Sequence, residues 1–259
     1  MNYPILDQPE VLQVLFHPRR YHSIPPTGAH NISVEVETGI KVGGRLYPDD
    51  TPNSPVILFF HGNGEIVADY DNIAPFFNDL GLTLLAMDYR GYGSSDGSPN
   101  ASNTVKDAVT IFNALQGIFQ SQELAPEAIY VMGRSLGSAS AIEIASQVGD
   151  KLTGLIIESG FADTFPLLAR LGLQVTGVDE IQDGIGNGSK ITQITTKTLI
   201  IHGVEDWIIP VSQAEKLYNY CAAEKKELVL IPGAGHNDLL LVGIREYFGA
   251  IKSFVGKGD

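Results

Sequence analysis

Short, continuous apolar runs punctuate this chain at residues 55–60, 82–87, 128–132, 155–157, 198–201 and 228–231. Runs of this length, rich in Val, Ile, Leu and Phe, mark strands buried on both faces. Two further strands, 32–37 and 40–47, precede them, joined tightly by Thr38-Gly39. Between the runs, the apolar positions change to helical spacing. In 103–119, Val105, Ala108, Val109, Phe112 and Leu115 fall on one helical face. Helices are also predicted over 68–80, 136–146, 211–223 and 238–254, whereas the residues up to Pro26 read as a proline-punctuated opening segment. Alternating strands and helices predict an α/β class chain, with a mostly parallel sheet of about eight strands covered by helices on both faces.

The polar residues that interrupt this pattern stand just after the apolar runs. They are His61-Gly62-Asn63-Gly64-Glu65, Asp88-Tyr89-Arg90, Glu158-Ser159-Gly160, His202-Gly203-Val204-Glu205-Asp206 and Pro232-Gly233-Ala234-Gly235-His236. In an open parallel sheet these positions share one edge, at the carboxyl ends of the strands, where ligand chemistry gathers. Among them, Gly133-Arg134-Ser135-Leu136-Gly137 lies between an apolar run and an alanine-rich helical pattern, the strand–turn–helix setting of a G-x-S-x-G nucleophile elbow. Such a turn projects the Ser135 hydroxyl beyond the sheet, and the flanking glycines leave room for the crowded backbone. A second match, Gly93-Ser94-Ser95-Asp96-Gly97, is followed by Ser98-Pro99-Asn100, which are turn residues and not the opening of a helix. Ser95 is therefore set aside.

A serine hydroxyl needs a base to take its proton and an acid to orient that base. In the order that accompanies this elbow, nucleophile then acid then histidine, only His202 and His236 follow Ser135, and His202 precedes the nearest acids, Glu205 and Asp206, which His236 follows. His236 is the candidate base, and His202 reads as a packed structural histidine. Asp206 is the candidate acid, because Trp207-Ile208-Ile209-Pro210 is expected to fold back onto the protein and hold it; Glu205 and Glu158 are the alternatives. For the oxyanion, one donor is the backbone N–H of Leu136 at a helix N-terminus, and the second is that of Asn63, with Gly64 as the alternative.

These motifs, together with Asp88-Tyr89-Arg90-Gly91-Tyr92-Gly93 and Glu158-Ser159-Gly160-Phe161, resemble the α/β-hydrolase superfamily from about Val11 to the C-terminus. Within it the chain is most similar to the Bem46-like and serine-aminopeptidase-like branches. The resemblance implies an α/β-hydrolase fold, with Ser135 as nucleophile, Asp206 as acid, His236 as base and the N–H groups of Asn63 and Leu136 as oxyanion hole. It makes Asp88 and Arg90 turn-bracing residues, and it places a small cap insertion at about 162–197. The apolar start of that insertion, 165–173, would roof the site; its glycine-rich, acidic middle, 179–189, reads as a mobile stretch. Arg134 is left with two readings, a contact for a substrate carboxylate or a partner for Glu158.

The 259 residues carry a formal net charge of −13, which argues against nucleic acid or an anionic membrane as partner. No apolar run approaches the roughly 18 residues of a membrane span, and Met1-Asn2-Tyr3-Pro4 lacks the basic start and apolar core of a signal peptide, so the expected location is the cytoplasm. Many Bem46-like proteins carry an N-terminal membrane anchor, and none is expected here. The lone Cys221 forms no intramolecular disulfide. The histidines are scattered, no G-x-G-x-x-G opens the first helix and no Walker sequence is present, so neither metal nor cofactor is expected. With no break in composition, one domain spanning 1–259 is expected. The reading is a serine hydrolase acting on a small or medium carboxylic ester as its small-molecule acyl substrate. A thioesterase or small-peptide hydrolase uses the same machinery, and a non-catalytic ligand- or partner-binding protein on this fold is the alternative of another class.

Overall fold

The structure, a computed structural model, describes residues 2–256. An eight-stranded sheet runs in the order β1-β2-β4-β3-β5-β6-β7-β8, made of β1 (His30–Glu37), β2 (Ile40–Tyr47), β3 (Val56–Phe60), β4 (Thr83–Met87), β5 (Ile129–Arg134), β6 (Gly154–Glu158), β7 (Thr198–Gly203) and β8 (Lys226–Ile231). Only β2 is reversed: it pairs antiparallel with both β1 and β4, and every other pair is parallel. All eight predicted strands are present, several of them a residue or two longer than the apolar run that announced them.

Two apolar layers flank the sheet. On one face pack α1 (Pro9–Leu15), α3 (Ala101–Ser121), α4 (Gly137–Val148) and α8 (Val211–Tyr220), against side chains such as Leu58, Val131 and Ile157. On the other, α2 (Ala74–Asn78) and α9 (Leu239–Val255) bury Ile57, Phe59, Met132 and Ile201 between them. Alternate strand residues thus feed opposite cores, which is why the central runs are continuously apolar. In α3, Val105, Ala108, Ile111, Phe112, Leu115 and Ile118 form the buried stripe, and the Asn100 side chain caps the helix by accepting the Asn103 N–H at 2.6 Å.

The helix predicted over 68–80 is broken. A 3-10 turn, Val67–Tyr70, is followed by a separate α2 with Pro75 in its first turn. Proline has no N–H to continue the preceding turn, and it starts a helix well. Asp71, between the two pieces, accepts from Arg45 at 2.7 Å and from the Tyr47 hydroxyl at 2.7 Å, tying the break to β2. The opening segment, in turn, contains α1, begun by Pro9 and buried through Val11 and Leu15.

The strand register decides where the chemistry sits. Phe60 lies opposite Met87 and Gly133, Gly133 opposite Ile157, Glu158 opposite Ile201, and Gly203 opposite Ile231. The carboxyl ends of these six strands therefore finish within two residues of their neighbours, and the loops that follow them meet above one edge.

Residues 162–197 leave the sheet after β6 and fold as α5 (Thr164–Arg170), α6 (Glu180–Asp183) and α7 (Asn187–Lys190). The middle of this insertion, 179–189, is tied to the rest of the protein at several points, although Asp179, Ile181, Gln182 and Ser189 are exposed. Asp179 caps α6, Glu180 accepts the Thr164 and Phe165 N–H groups, Ile185 and Asn187 are buried, and Lys190 pairs with buried Glu143 of α4 at 2.6 Å.

Candidate active site

β5 ends in a tight turn that carries Ser135 in the left-handed region at φ +52°. A non-glycine residue there is strained and persists only where its surroundings impose it. Here the Ser135 N–H is held by the Glu158 carbonyl at 2.8 Å, and its carbonyl accepts from Ser138 N–H and Oγ–H at 3.0 and 2.6 Å. The neighbouring backbones are nearly in contact: a Cβ on Gly133 would lie 2.2 Å from the Gly137 carbonyl oxygen, and one on Gly137 would lie 2.1 Å from that of Phe60. Only glycine fits at either place.

Above the turn, the Ser135 hydroxyl lies 2.9 Å from His236 Nε2, and His236 Nδ1 lies 2.7 Å from Asp206 Oδ2. All three residues are buried. The Nδ1–H faces the carboxylate, so Nε2 is the acceptor that meets the serine hydroxyl. Asp206 Oδ1 takes the N–H groups of Ile208 and Ile209 at 2.9 and 2.7 Å, which fixes the carboxylate in a turn of its own chain. Glu205 is exposed and Glu158 is turned to Arg134, so neither rival acid reaches the histidine.

His202 is fully buried. Its Nε2–H donates to the Ile209 carbonyl at 2.8 Å and lies 3.4 Å from Asp206 Oδ2. Burial lowers its pKa below the ordinary histidine value, so the ring is neutral at pH 7. Ile209 is buried as expected, but Trp207 is 80% exposed. The Asp206 loop is therefore held by backbone bonds to the carboxylate and by His202, not by the tryptophan.

The loop after β3 closes the other side. The Asn63 side chain accepts from the His17 N–H at 2.8 Å and the Tyr92 hydroxyl at 2.7 Å. The Gly64 N–H is turned to the Tyr92 oxygen. Among the described residues, the Asn63 and Leu136 N–H groups have no protein acceptor. Asp88, buried, receives the Val67 N–H at 3.0 Å and contacts His61 Nε2 at 3.1 Å. Arg90 binds Asp107 and Glu37, in the bracing role expected of it. Ser95 is buried with its Oγ accepting the Gly43 N–H, away from the elbow.

A cavity of about 220 Å³ opens over Ser135. Leu136, Leu167, Leu171 and Ile208 line it, as do Val14, Leu15 and His17 of the opening segment. Sequence reasoning foresaw the α5 wall and missed the α1 wall. The only available signal was Pro9 followed by apolar residues at 11, 12, 14 and 15. Among the described residues, no group of three or more His, Cys, Asp or Glu side chains gathers to hold a metal ion, and no helix is long and apolar enough to cross a membrane.

Comparison with known proteins agrees with this architecture. A family model described as serine aminopeptidase, S33 (Hydrolase_4) matches residues 51–179. Protein bem46 of Schizosaccharomyces pombe is 30% identical over 239 residues, which is 87% of this chain and 77% of that protein. The human alpha/beta hydrolase domain-containing protein 17B is 31% identical over 216 residues, 80% of this chain and 68% of that protein. Among solved structures, the Pyrococcus furiosus esterase Pf2001 superposes with a TM-score of 0.75 at 18% identity, covering 93% of this chain and 96% of that one. The neighbouring strand ends, the strained turn at Ser135 and these relatives together make this chain a member of the α/β-hydrolase family, a hydrolase of the Bem46-like branch.

Proposed function

We propose that the protein is a serine hydrolase that cleaves a small or medium carboxylic ester through an acyl-enzyme on Ser135, with the chain working as one catalytic domain. The observation that carries this reading is the unbroken hydrogen-bond line from Ser135 Oγ through both nitrogens of His236 to Asp206. His236 takes the serine proton as Oγ attacks the substrate carbonyl, and Asp206 stabilises the imidazolium that forms. The oxyanion that develops is met by the N–H groups of Asn63 and Leu136, the latter opening α4, where the helix dipole assists. His236 then gives its proton to the leaving alkoxide. Water, deprotonated in turn by His236, releases the acid.

The cavity supports the substrate class. With about 220 Å³ of space, it has room for an ester function and a short chain. Val14, Leu136, Leu167, Leu171 and Ile208 give it an aliphatic side that suits an acyl chain, and His17, Asn63, Arg134 and Asn237 give it a polar one. A thioester or small amide would enter the same chemistry.

The test is turnover of p-nitrophenyl esters from acetate to laurate by the protein and by Ser135→Ala. Turnover of a short ester that disappears in the variant, with its thermal transition kept, is the expected outcome. Equal rates from both proteins would reject Ser135, and no turnover of any ester, thioester or amide would move the protein to the ligand-binding reading.

A further inference from the structure

We infer that Arg134 is a positioning residue which fastens the oxyanion loop and the histidine loop to the nucleophile turn, so that one guanidinium sets the donor and the base together. Part of this rests on the hydrolase reading above.

Arg134 immediately precedes Ser135 and borders the serine cavity, yet its side chain is nearly buried and its nitrogens are turned to protein acceptors. Each of its nitrogens has a partner on a different strand end. Nε meets Glu158 Oε1 at 3.0 Å, at the end of β6. Nη1 meets Glu65 Oε1 at 2.6 Å, in the loop after β3. Nη2 donates to the His236 carbonyl at 2.8 Å and to Asn237 Oδ1 at 3.2 Å, in the loop after β8. The partners are themselves held. Glu65 Oε2 accepts the Gly62 N–H at 2.8 Å and the Tyr70 hydroxyl at 2.6 Å, and Glu158 Oε2 accepts the Tyr247 hydroxyl at 2.8 Å.

This arrangement answers the question the sequence left open. The carboxylate partner of Arg134 is Glu158, joined by Glu65, so its charge is balanced within the protein. Burial disfavours the guanidinium, but the two carboxylates outweigh it and hold the group above its ordinary pKa. The fork geometry is needed because the acceptors lie in three directions, and a lysine ammonium presents a point charge to only part of them. The Glu65 arm ends on Gly62, one residue before the Asn63 donor, and the Nη2 arm ends on the backbone of the base itself. Displacing either group by about an ångström is enough to cost rate.

The test combines hydrogen–deuterium exchange with labelling of Ser135 by a fluorophosphonate probe, using the full chain and the variants Arg134→Met, Arg134→Lys and Glu65→Gln. In Arg134→Met, exchange should rise about tenfold or more in peptides covering 61–67 and 233–238 and stay at the parent rate in α3 and β7. In Glu65→Gln, only 61–67 should loosen. Both Arg134 variants should label about tenfold more slowly or worse, and on an ester kcat should fall with KM held. Unchanged exchange in both loops, a rise spread over the whole chain, or a parental labelling rate would each overturn the proposal. Should Arg134→Met fail to fold, Glu65→Gln decides it, since unchanged exchange at 61–67 in that variant is equally fatal. A parent protein that takes no label at Ser135 would refute the hydrolase reading, while the exchange data still decide whether Arg134 fastens the loops.

Discussion

Replacing Asp206 by Asn isolates the acid from the fold. The Asn side-chain oxygen can still receive the Ile208 and Ile209 N–H groups that Asp206 Oδ1 accepts at 2.9 and 2.7 Å, so the turn that holds the loop survives. At the other atom a carboxylate oxygen 2.7 Å from His236 Nδ1 becomes an NH2 group. Two donors then face each other, and the imidazole relieves the clash by moving its proton to Nε2. That nitrogen lies 2.9 Å from Ser135 Oγ and loses the lone pair that accepts the serine proton. The analogous change in the chymotrypsin-type triad, a worked case of this chemistry, lowers kcat about 10⁴-fold, and a similar fall corresponds to about 5.5 kcal/mol of barrier. Asp206→Asn should therefore retain its melting temperature within a few degrees, while steady-state hydrolysis of the best p-nitrophenyl ester drops by three to four orders of magnitude on that scale. Asp206→Ala should lose activity and stability, because it also frees the Ile208 N–H and strands the buried Ile209 N–H, the latter at roughly 1–3 kcal/mol. A kcat/KM for Asp206→Asn within about tenfold of the parent would refute the reasoning, and all the more so if Glu158→Gln or Glu205→Gln were the crippling change.

Three further outcomes follow from other parts of the structure. Rates on p-nitrophenyl esters should be highest on short chains and fall towards laurate, and Leu167→Ala should move that optimum to longer chains; a flat profile to laurate would contradict a cavity bounded by α5. His202 has a folded pKa below its unfolded value of 6.5, so its contribution to stability is complete above pH 6.5 and is lost as the pH falls towards the folded pKa. Melting curves from pH 7.5 to 5.5 should therefore fall less steeply for His202→Gln than for the parent, and parallel slopes would reject this. Lys190→Met leaves Glu143 buried without its cation and should cost about 3–5 kcal/mol, seen as a drop on the order of 10 °C in thermal unfolding; a drop of a degree or two would mean that the insertion is not pinned there.

What the sequence made legible and what it hid divide along the range of the interactions. Ser135 is readable because everything that defines it, an apolar strand, two glycines and a helix, lies within a few residues. Asp206 and His236 are readable because strand order places their loops beside that turn, although neither is near Ser135 in sequence. The helix over 68–80 failed because its apolar spacing continues through Pro75, and the spacing does not show that Asp71 is engaged by Arg45 and Tyr47 of β2. Trp207 misled through residue type: an aromatic next to the acid suggested packing, whereas a carboxylate and its own backbone make the turn. The α1 wall and the three-way fork of Arg134 were hidden for one reason. Val14 meets the cavity beside Leu171 and Ile208, and Arg134 meets His236, across separations that leave no periodic trace.

The central claim is that Ser135 is an activated nucleophile, and the most direct measurement is reaction of the purified, folded protein with a fluorophosphonate, followed by mass spectrometry of its peptides. The account predicts one adduct, on Ser135, formed by the parent and lost in His236→Ala although Ser135 is still present. An adduct on Ser95 or elsewhere, no adduct on a folded sample, or a His236→Ala protein that labels at the parental rate would contradict it.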